Sequence, residues 1–293
     1  MNLSQIREVL ESFAPLSWQE SYDNSGLQLG LFNNEGQADS STPVRGVLLC
    51  LDITEAVVED AIEKGCNLIV AHHPLIFKPL KRLAGASYQE RCLVKALQHG
   101  IALYAAHTNL DNAPGGVSWE MARLLGIQNL RPLLPLEEAP AAAGCEGAAA
   151  FVNGAAACLN MGTLAGCGVV GELPEAVPTQ DFMLRLKDVF QPEALHYSAT
   201  GKSQVKRIAL CGGSGGSFIA EALAAGADCY VTGEIRYHDF FEAGDCILAA
   251  LGHYESEICA LDVLHRLLVE KFPALPVFKT AVNTNPLKGL AAL

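Results

Sequence analysis

No stretch of this 293-residue sequence approaches the roughly 20 consecutive apolar residues that a bilayer-spanning helix needs, so no membrane span is expected. Basic residues are scarce as well: 20 Lys and Arg stand against 32 Asp and Glu, a formal net charge of −12. With no basic run to offset that field, a nucleic acid or an anionic membrane would bind against repulsion, and neither is expected as a partner. A metal cation, or a small anionic substrate shielded by one, suits the balance better. The first ten residues carry charges where an export signal needs an apolar core. The ten cysteines include no Cys-x-x-Cys pair, and Cys50, Cys66, Cys211 and Cys229 lie in or beside apolar strand-like runs. Reduced core thiols in a cytoplasmic protein are therefore expected rather than a disulfide framework.

What the sequence does have is the makings of a large core. Half of its residues are hydrophobic and 18% are charged, as in a soluble globular protein. Its length exceeds that at which single cores begin to divide. Leu3, Ile6, Val9, Leu10 and Phe13 trace a helical stripe, with Ser4 as a candidate cap.

Two segments repeat one pattern. Val47 to Thr54, an amphipathic stretch from Glu55 to Lys64, Gly65 and the apolar run Leu68 to Ala71 read as strand, helix, glycine stop and strand. Ile208 to Gly215, a helical stretch from about Ser217 to Ala225, Gly226 and Cys229 to Thr232 read the same way. An offset of 161 residues aligns Cys50 with Cys211, Gly65 with Gly226 and Val70 with Val231 without a gap. Each copy predicts a βαβ unit in a parallel sheet. A further strand follows each copy, ending in His107-Thr-Asn-Leu-Asp111 in the first and His253-Tyr-Glu-Ser-Glu257 in the second. The expected organisation is an α/β half over residues 1–131, a linker and connecting helix (Gln180 to Val189) over 132–204, and a second α/β half over 205–293, the halves related by a pseudo-two-fold.

The chemistry-bearing residues fall at strand ends. In open α/β sheets the C-terminal ends of the strands are where ligands bind. His72 and His73 end the run Leu68 to Ala71, and adjacent strand side chains point to opposite sides. They are poor ligands for one metal and well placed to reach two, with Pro74 keeping His73 extended. Taken alone, the pair reads slightly better as one loop and one packed histidine. If a helix starts at His253, then His253 and Glu257 share a face, although such pairs are often plain surface pairs. Asp111 is a further ligand candidate, and His107 can ligate or support. Together these residues make a nitrogen and oxygen donor set suited to Zn, Mn, Fe, Co or Mg. Three weaker features remain. The loop Cys211-Gly-Gly-Ser-Gly-Gly-Ser217 is as readily a plain turn as an anion cradle, and it lacks the lysine of a P-loop. Glu234 aligns with His73, and His238 is a candidate outer acid or base. Tyr22-Asp-Asn-Ser-Gly26 is a polar loop that fits the neighbourhood of a site.

Tyr22-Asp-Asn-Ser-Gly-Leu-Gln, His72-His-Pro-Leu-Ile-Phe, His107-Thr-Asn-Leu-Asp, Gly212-Gly-Ser-Gly, Thr232-Gly-Glu and His253-x-x-x-Glu257, in that order, resemble the NIF-three-like family, the type 2 GTP cyclohydrolase I homologues. The resemblance runs from the N-terminus to about Pro286. It implies two similar, intertwined three-layer α/β/α halves and a centre of two divalent metal ions facing the interior of a toroidal homohexamer. His73 and Asp111 would hold one ion, His72 and His253 the other, and Glu257 would bridge them. His107 is outside the family's five ligands and is expected beside them, sharing with His238 the candidacy for proton transfer. Some relatives carry an inserted ferredoxin-like domain, for which residues 132–204 look too short. The implied activity is a metal-dependent hydrolysis of a small molecule, a nucleotide on the cyclohydrolase reading, with guanine ring opening and release of formate. The alternative is a metal storage, delivery or chaperone protein without turnover.

Overall fold

The structure, a computed structural model, describes residues 1–33, 36–136 and 164–289. In chain order its strands are β1 (Gly26–Leu29), β2 (Val47–Cys50), β3 (Leu68–Ala71), β4 (Ala102–Ala105), β5 (Gln128–Pro135), β6 (Gly166–Pro178), β7 (His196–Tyr197), β8 (Gln204–Cys211), β9 (Cys229–Thr232), β10 (Ile247–Ala250) and β11 (Val277–Lys279). They form two sheets, and the chain divides into two compact units with one sheet each.

The first unit takes Met1–Leu110 and Ala260–Thr284, with strand order β1-β4-β3-β2-β11. β11, β2, β3 and β4 run parallel, and β1 closes the edge antiparallel to β4. Every residue of β2, β3 and β4 is buried, as expected of parallel strands covered on both faces. Leu48, Cys50, Ile69, Ala71 and Leu103 pack with Val57, Val58 and Ala61 of helix Glu55–Glu63 and Cys92, Leu93 and Ala96 of helix Tyr88–Gln98. Each fully buried aliphatic side chain in that layer contributes about 1.5–3 kcal/mol. Thr54 and Ser87 cap the two helices through hydrogen bonds from the third residue in each case. The first helix, Leu3–Phe13, buries Leu3, Ile6, Leu10 and Phe13. Its cap is Asn2, in a reciprocal box with Gln5, and not Ser4, which lies within the helix.

The second unit takes the described residues from Asp111 to Cys259 and from Asn285 on, with strand order β5-β6-β8-β9-β10-β7. β8, β9 and β10 are parallel, while β5, β6 and β7 are antiparallel to their neighbours. Ala209, Cys211, Tyr230 and Leu248 pack with Ile219 and Ala222 of helix Ile219–Ala224. The expected connecting helix is present as Thr179–Phe190.

The predicted repeat holds at the level of strand register. Val47 pairs with Leu68 and Cys50 with Ala71 in the first unit, while Ile208 pairs with Cys229 and Cys211 with Thr232 in the second. Each residue of the second pairs lies 161 positions after its counterpart. The boundaries differ from those expected. Residues 260–284 return to the first sheet, because β11 pairs with β2 from Val277↔Val47 onward. Strands β5 and β6, within the stretch expected as half and linker, pair with each other and through β6 with β8. The expectation about an inserted domain falls largely on residues 137–163, outside the described residues.

Candidate metal centre

In the first unit the ladder of β3 continues past its last strand residue. The His72 N–H donates to Cys50 O at 3.1 Å and the His73 N–H to Leu51 O at 2.9 Å. The backbone bends at these two residues, so the expected splay to opposite sides is not kept and the two imidazoles lie together. His72 is fully buried and His73 partly so. His107 follows β4, and its ring centroid lies 5.4 Å from those of both His72 and His73, which are themselves 5.0 Å apart. One ring nitrogen from each of the three lies within 4.8 Å of the others.

What makes this more than a crowd of imidazoles is the fate of each Nδ1. His72 Nδ1 lies 2.7 Å from Ala106 O, a carbonyl that can only accept, so Nδ1 carries the proton. The lone pair of the neutral ring is then on Nε2. His73 Nδ1 meets Asp52 Oδ1 at 2.7 Å, and His107 Nδ1 meets Asp23 Oδ1 at 2.7 Å. Donating one ring nitrogen to a carboxylate or carbonyl while the other is kept for a metal is the usual way a ligating histidine is oriented.

The two carboxylates are themselves locked. The Asp23 side chain has no solvent exposure and also accepts from Thr108 N–H, Thr108 Oγ1 and Ser25 Oγ. Burial pushes its carboxyl up, but the hydrogen bond and charge of His107, with Thr108 and Ser25, outweigh burial and hold it well below the usual carboxylate range. Asp52 follows the same logic: burial raises it, and His73 with the Thr284 hydroxyl at 2.9 Å lowers it further than burial lifts it. Asp52 was not singled out from the sequence, although it lies two residues beyond β2, at a strand end. Asp23 was visible only as part of a polar loop.

In the second unit His253–Glu257 is a helix, as expected, beginning after Gly252 at φ 103°. His253 Nε2 and Glu257 Oε2 are 3.1 Å apart, so the i, i+4 pair does converge. Glu234 Oε1 is 3.2 Å from His253 Nδ1, and its other oxygen accepts from Ser214 Oγ at 2.7 Å. The alignment of Glu234 with His73 thus reflects equal position after the strand but a different task, orienting a histidine. Asp111 ends the short helix Thr108–Asp111. The Cys211 thiol is pushed up by its contact with Cys167 and by burial, and further by the negative charges of Asp111 and Glu257.

The glycine loop after β8 is not an anion cradle. The N–H groups of Gly212, Gly213 and Gly215 donate to the hydroxyls of Ser118, Ser256 and Thr232 at 3.4, 2.9 and 3.0 Å. Its glycines serve close packing instead: Gly213 sits at φ +62°, and a Cβ there would lie 2.0 Å from Glu257 Oε1. His238 lies in the turn Tyr237–Ala243, exposed, with the rings of Tyr237 and Phe241 at 5.2 and 6.3 Å. Among the described residues the histidine cluster of the first unit gathers His72, His73 and His107, and His238 is not part of it.

The donor set fits a divalent metal. Imidazoles each held at Nδ1 by an oxygen in one unit, and a histidine with carboxylates in the other, are borderline and hard ligands free of thiolate, as Zn, Mn, Fe or Co sites use. Fold and side chains together define an α/β protein with histidine and carboxylate groups, able to hold metal, at the C-terminal ends of parallel strands. The chain belongs to the Duf34/NIF3 (NGG1p interacting factor 3) family, whose pattern matches residues 1–286. It is 30% identical to NIF3-like protein 1 of Drosophila melanogaster over 99% of this chain and 90% of that one. It is 29% identical to a GTP cyclohydrolase 1 type 2 homolog of Streptococcus pneumoniae over 98% of each. A crystal structure of a Staphylococcus aureus hypothetical protein superposes with a TM-score of 0.83 at 31% identity, covering 99% of both chains. No helix among the described residues is long and apolar enough to cross a membrane.

Proposed function

We propose that this chain is a hydrolase that works with two divalent metal ions, held by His72, His73, Asp111, His253 and Glu257. The observation that carries the reading is the trio His72, His73 and His107, each with Nδ1 committed to an oxygen acceptor at 2.7 Å. Such anchoring fixes the direction of each Nε2, and one ring nitrogen of each of the three lies within 4.8 Å of the others, close enough to share an ion.

When bound, paired divalent ions lower the pKa of water and offset negative charge developing on a substrate. The remaining work falls to the chain. Asp52 and Ala106 O fix the rings of His73 and His72, and Glu234 fixes His253 from its Nδ1 side. Of the two histidines put forward for proton transfer, His107 has the supporting geometry. Its Nδ1 is tied to a buried Asp23 carboxylate, so Nε2 is the atom that takes or gives a proton, and Asp23 stabilises the imidazolium that results. His238 is exposed on its turn and, among the described residues, lies outside the histidine cluster of the first unit.

The relatives' name, GTP cyclohydrolase 1 type 2 homolog, makes GTP the first substrate to offer, with hydrolytic opening of the guanine imidazole and formate as the expected product. A homohexamer and a cytoplasmic location belong to the same proposal. The test is metal analysis coupled to a substrate panel containing GTP and phosphoesters. Wild type should carry about two ions per chain, Glu257→Ala should lose metal and turnover together, and His107→Ala should keep metal while losing turnover. Turnover that survives complete metal removal would sink the proposal; full metal content without turnover of any substrate would leave a metal-storage or delivery protein.

A further inference from the structure

Two large aromatic side chains of the first unit stand in solvent beside the histidine cluster. Tyr22 is 65% exposed and Phe77 is 41% exposed. Their ring centroids are 6.5 Å apart at 59°, and Phe77 meets His107 edge-on at 6.2 Å and 81°. Since His107 lies 5.4 Å from both His72 and His73, a line of rings leads from solvent to the imidazoles. The backbone under these rings is pinned. Asp23, next to Tyr22, is tied to His107, Thr108 and Ser25. Ile76, next to Phe77, donates its N–H to Gln28 Oε1 at 2.9 Å and accepts from Asn24 Nδ2 at 2.5 Å. Rings left in water on a rigid frame lose the gain of burial, and in exchange they are ordered before anything binds.

We propose that Tyr22 and Phe77 form a stacking subsite that receives a planar ring of the substrate and sets it beside His107. The substrate class is then a small molecule whose reacting group belongs to, or is attached to, a flat ring. This rests on the metal-dependent reading above, which makes the histidine cluster the place of reaction. Stacking tolerates many ring types because every such ring has a π face, so the subsite selects for flatness rather than for one compound. The loop that continues from Phe77 exposes Lys78, Lys81 and Arg82, so probes carrying a phosphate are appropriate.

The experiment compares guanosine 5′-monophosphate with ribose 5-phosphate, which share sugar and phosphate and differ only by the ring. Dissociation constants are measured by calorimetry on the metal-loaded wild type and on Tyr22→Ala, Phe77→Ala, the double variant and Tyr22→Phe. The ring-bearing probe should bind about 10-fold or more tightly than the ringless one. The double alanine variant should erase that ratio, Tyr22→Phe should keep it, and metal content should be unchanged in all. A ratio unaltered in the double variant, no preference in wild type, or no binding of the ring-bearing probe overturns the subsite. A fall in oligomer mass in the double variant with the ratio intact also overturns it, assigning the rings to contact with a second copy. If the purified wild type takes up no metal, the metal reading fails by itself, while the ring preference is still read on the metal-free protein.

Discussion

Gly213→Ala disturbs the proposed ligand Glu257 without changing any candidate ligand. Gly213 has φ +62°, and an added Cβ would lie 2.0 Å from Glu257 Oε1, 2.9 Å from its Cδ and 3.4 Å from His253 Cε1. Non-bonded heavy atoms settle at about 3.5 Å or more, so the carboxylate must retreat by more than about 1 Å. Metal–ligand distances tolerate only about 0.2 Å, so Glu257 should leave its coordinating position. The left-handed backbone adds about 1–2 kcal/mol of strain for a residue with a Cβ. Gly65→Ala is the control: its φ is +68°, and nothing lies within 4 Å of the added atom. Both variants should lower Tm by a few degrees, about 2–4 °C per kcal/mol for a chain of this size. Only Gly213→Ala should also lose metal, with affinity down by about 10- to 100-fold. The assay is metal content after dialysis against a graded chelator, read beside thermal melts. Equal metal retention in the two variants would refute the argument that Gly213 is there to admit the Glu257 carboxylate.

Other outcomes follow from the same contacts. Asp52→Asn and Asp23→Asn each weaken an anchor of a histidine Nδ1; Asp52→Asn should reduce metal affinity by about 10- to 100-fold, whereas Asp23→Asn should chiefly lower turnover, both read by metal titration and a rate assay. Asp228 accepts from the Lys206 and Arg207 N–H groups at 2.9 and 2.8 Å and pairs with Lys202. Burial raises its carboxyl, but Lys202 and those N–H groups outweigh it and leave it below its ordinary value. Its stabilising effect is therefore complete above the unfolded-state value and lost as pH falls through the folded one, so Asp228→Asn should flatten the acid limb of stability in urea melts run across an acid pH series. Asn2→Ala removes the capping box of the first helix and should cost about 1 kcal/mol in the same melts. Light scattering on the purified chain should return six chain masses if the proposed hexamer forms.

The sequence alone determined what depends on short range. The apolar runs and glycine stops at an offset of 161 residues foretold both βαβ units, because continuous apolar runs and helix termination are local properties, and the strand pairing then proved equivalent in the two copies. His72 and His73 at a strand end, and His253 with Glu257 one helical turn apart, were legible for the same reason. What only the tertiary structure decided was what each of these residues touches. His107 finds its carboxylate 84 positions away, His73 at 21 and His253 at 19. The glycine loop became a packing device because Ser118 and Ser256, 94 and 43 residues distant from their glycines, supplied the acceptors for its N–H groups. The return of β11 to β2 likewise moved a domain boundary that composition could not mark. Such partners are chosen by chain closure and strand order, which carry no local periodicity to read. The metal-site expectation that began with scarce positive charge and paired histidines was thereby given its supports: three oxygen acceptors that fix three imidazoles in one direction each.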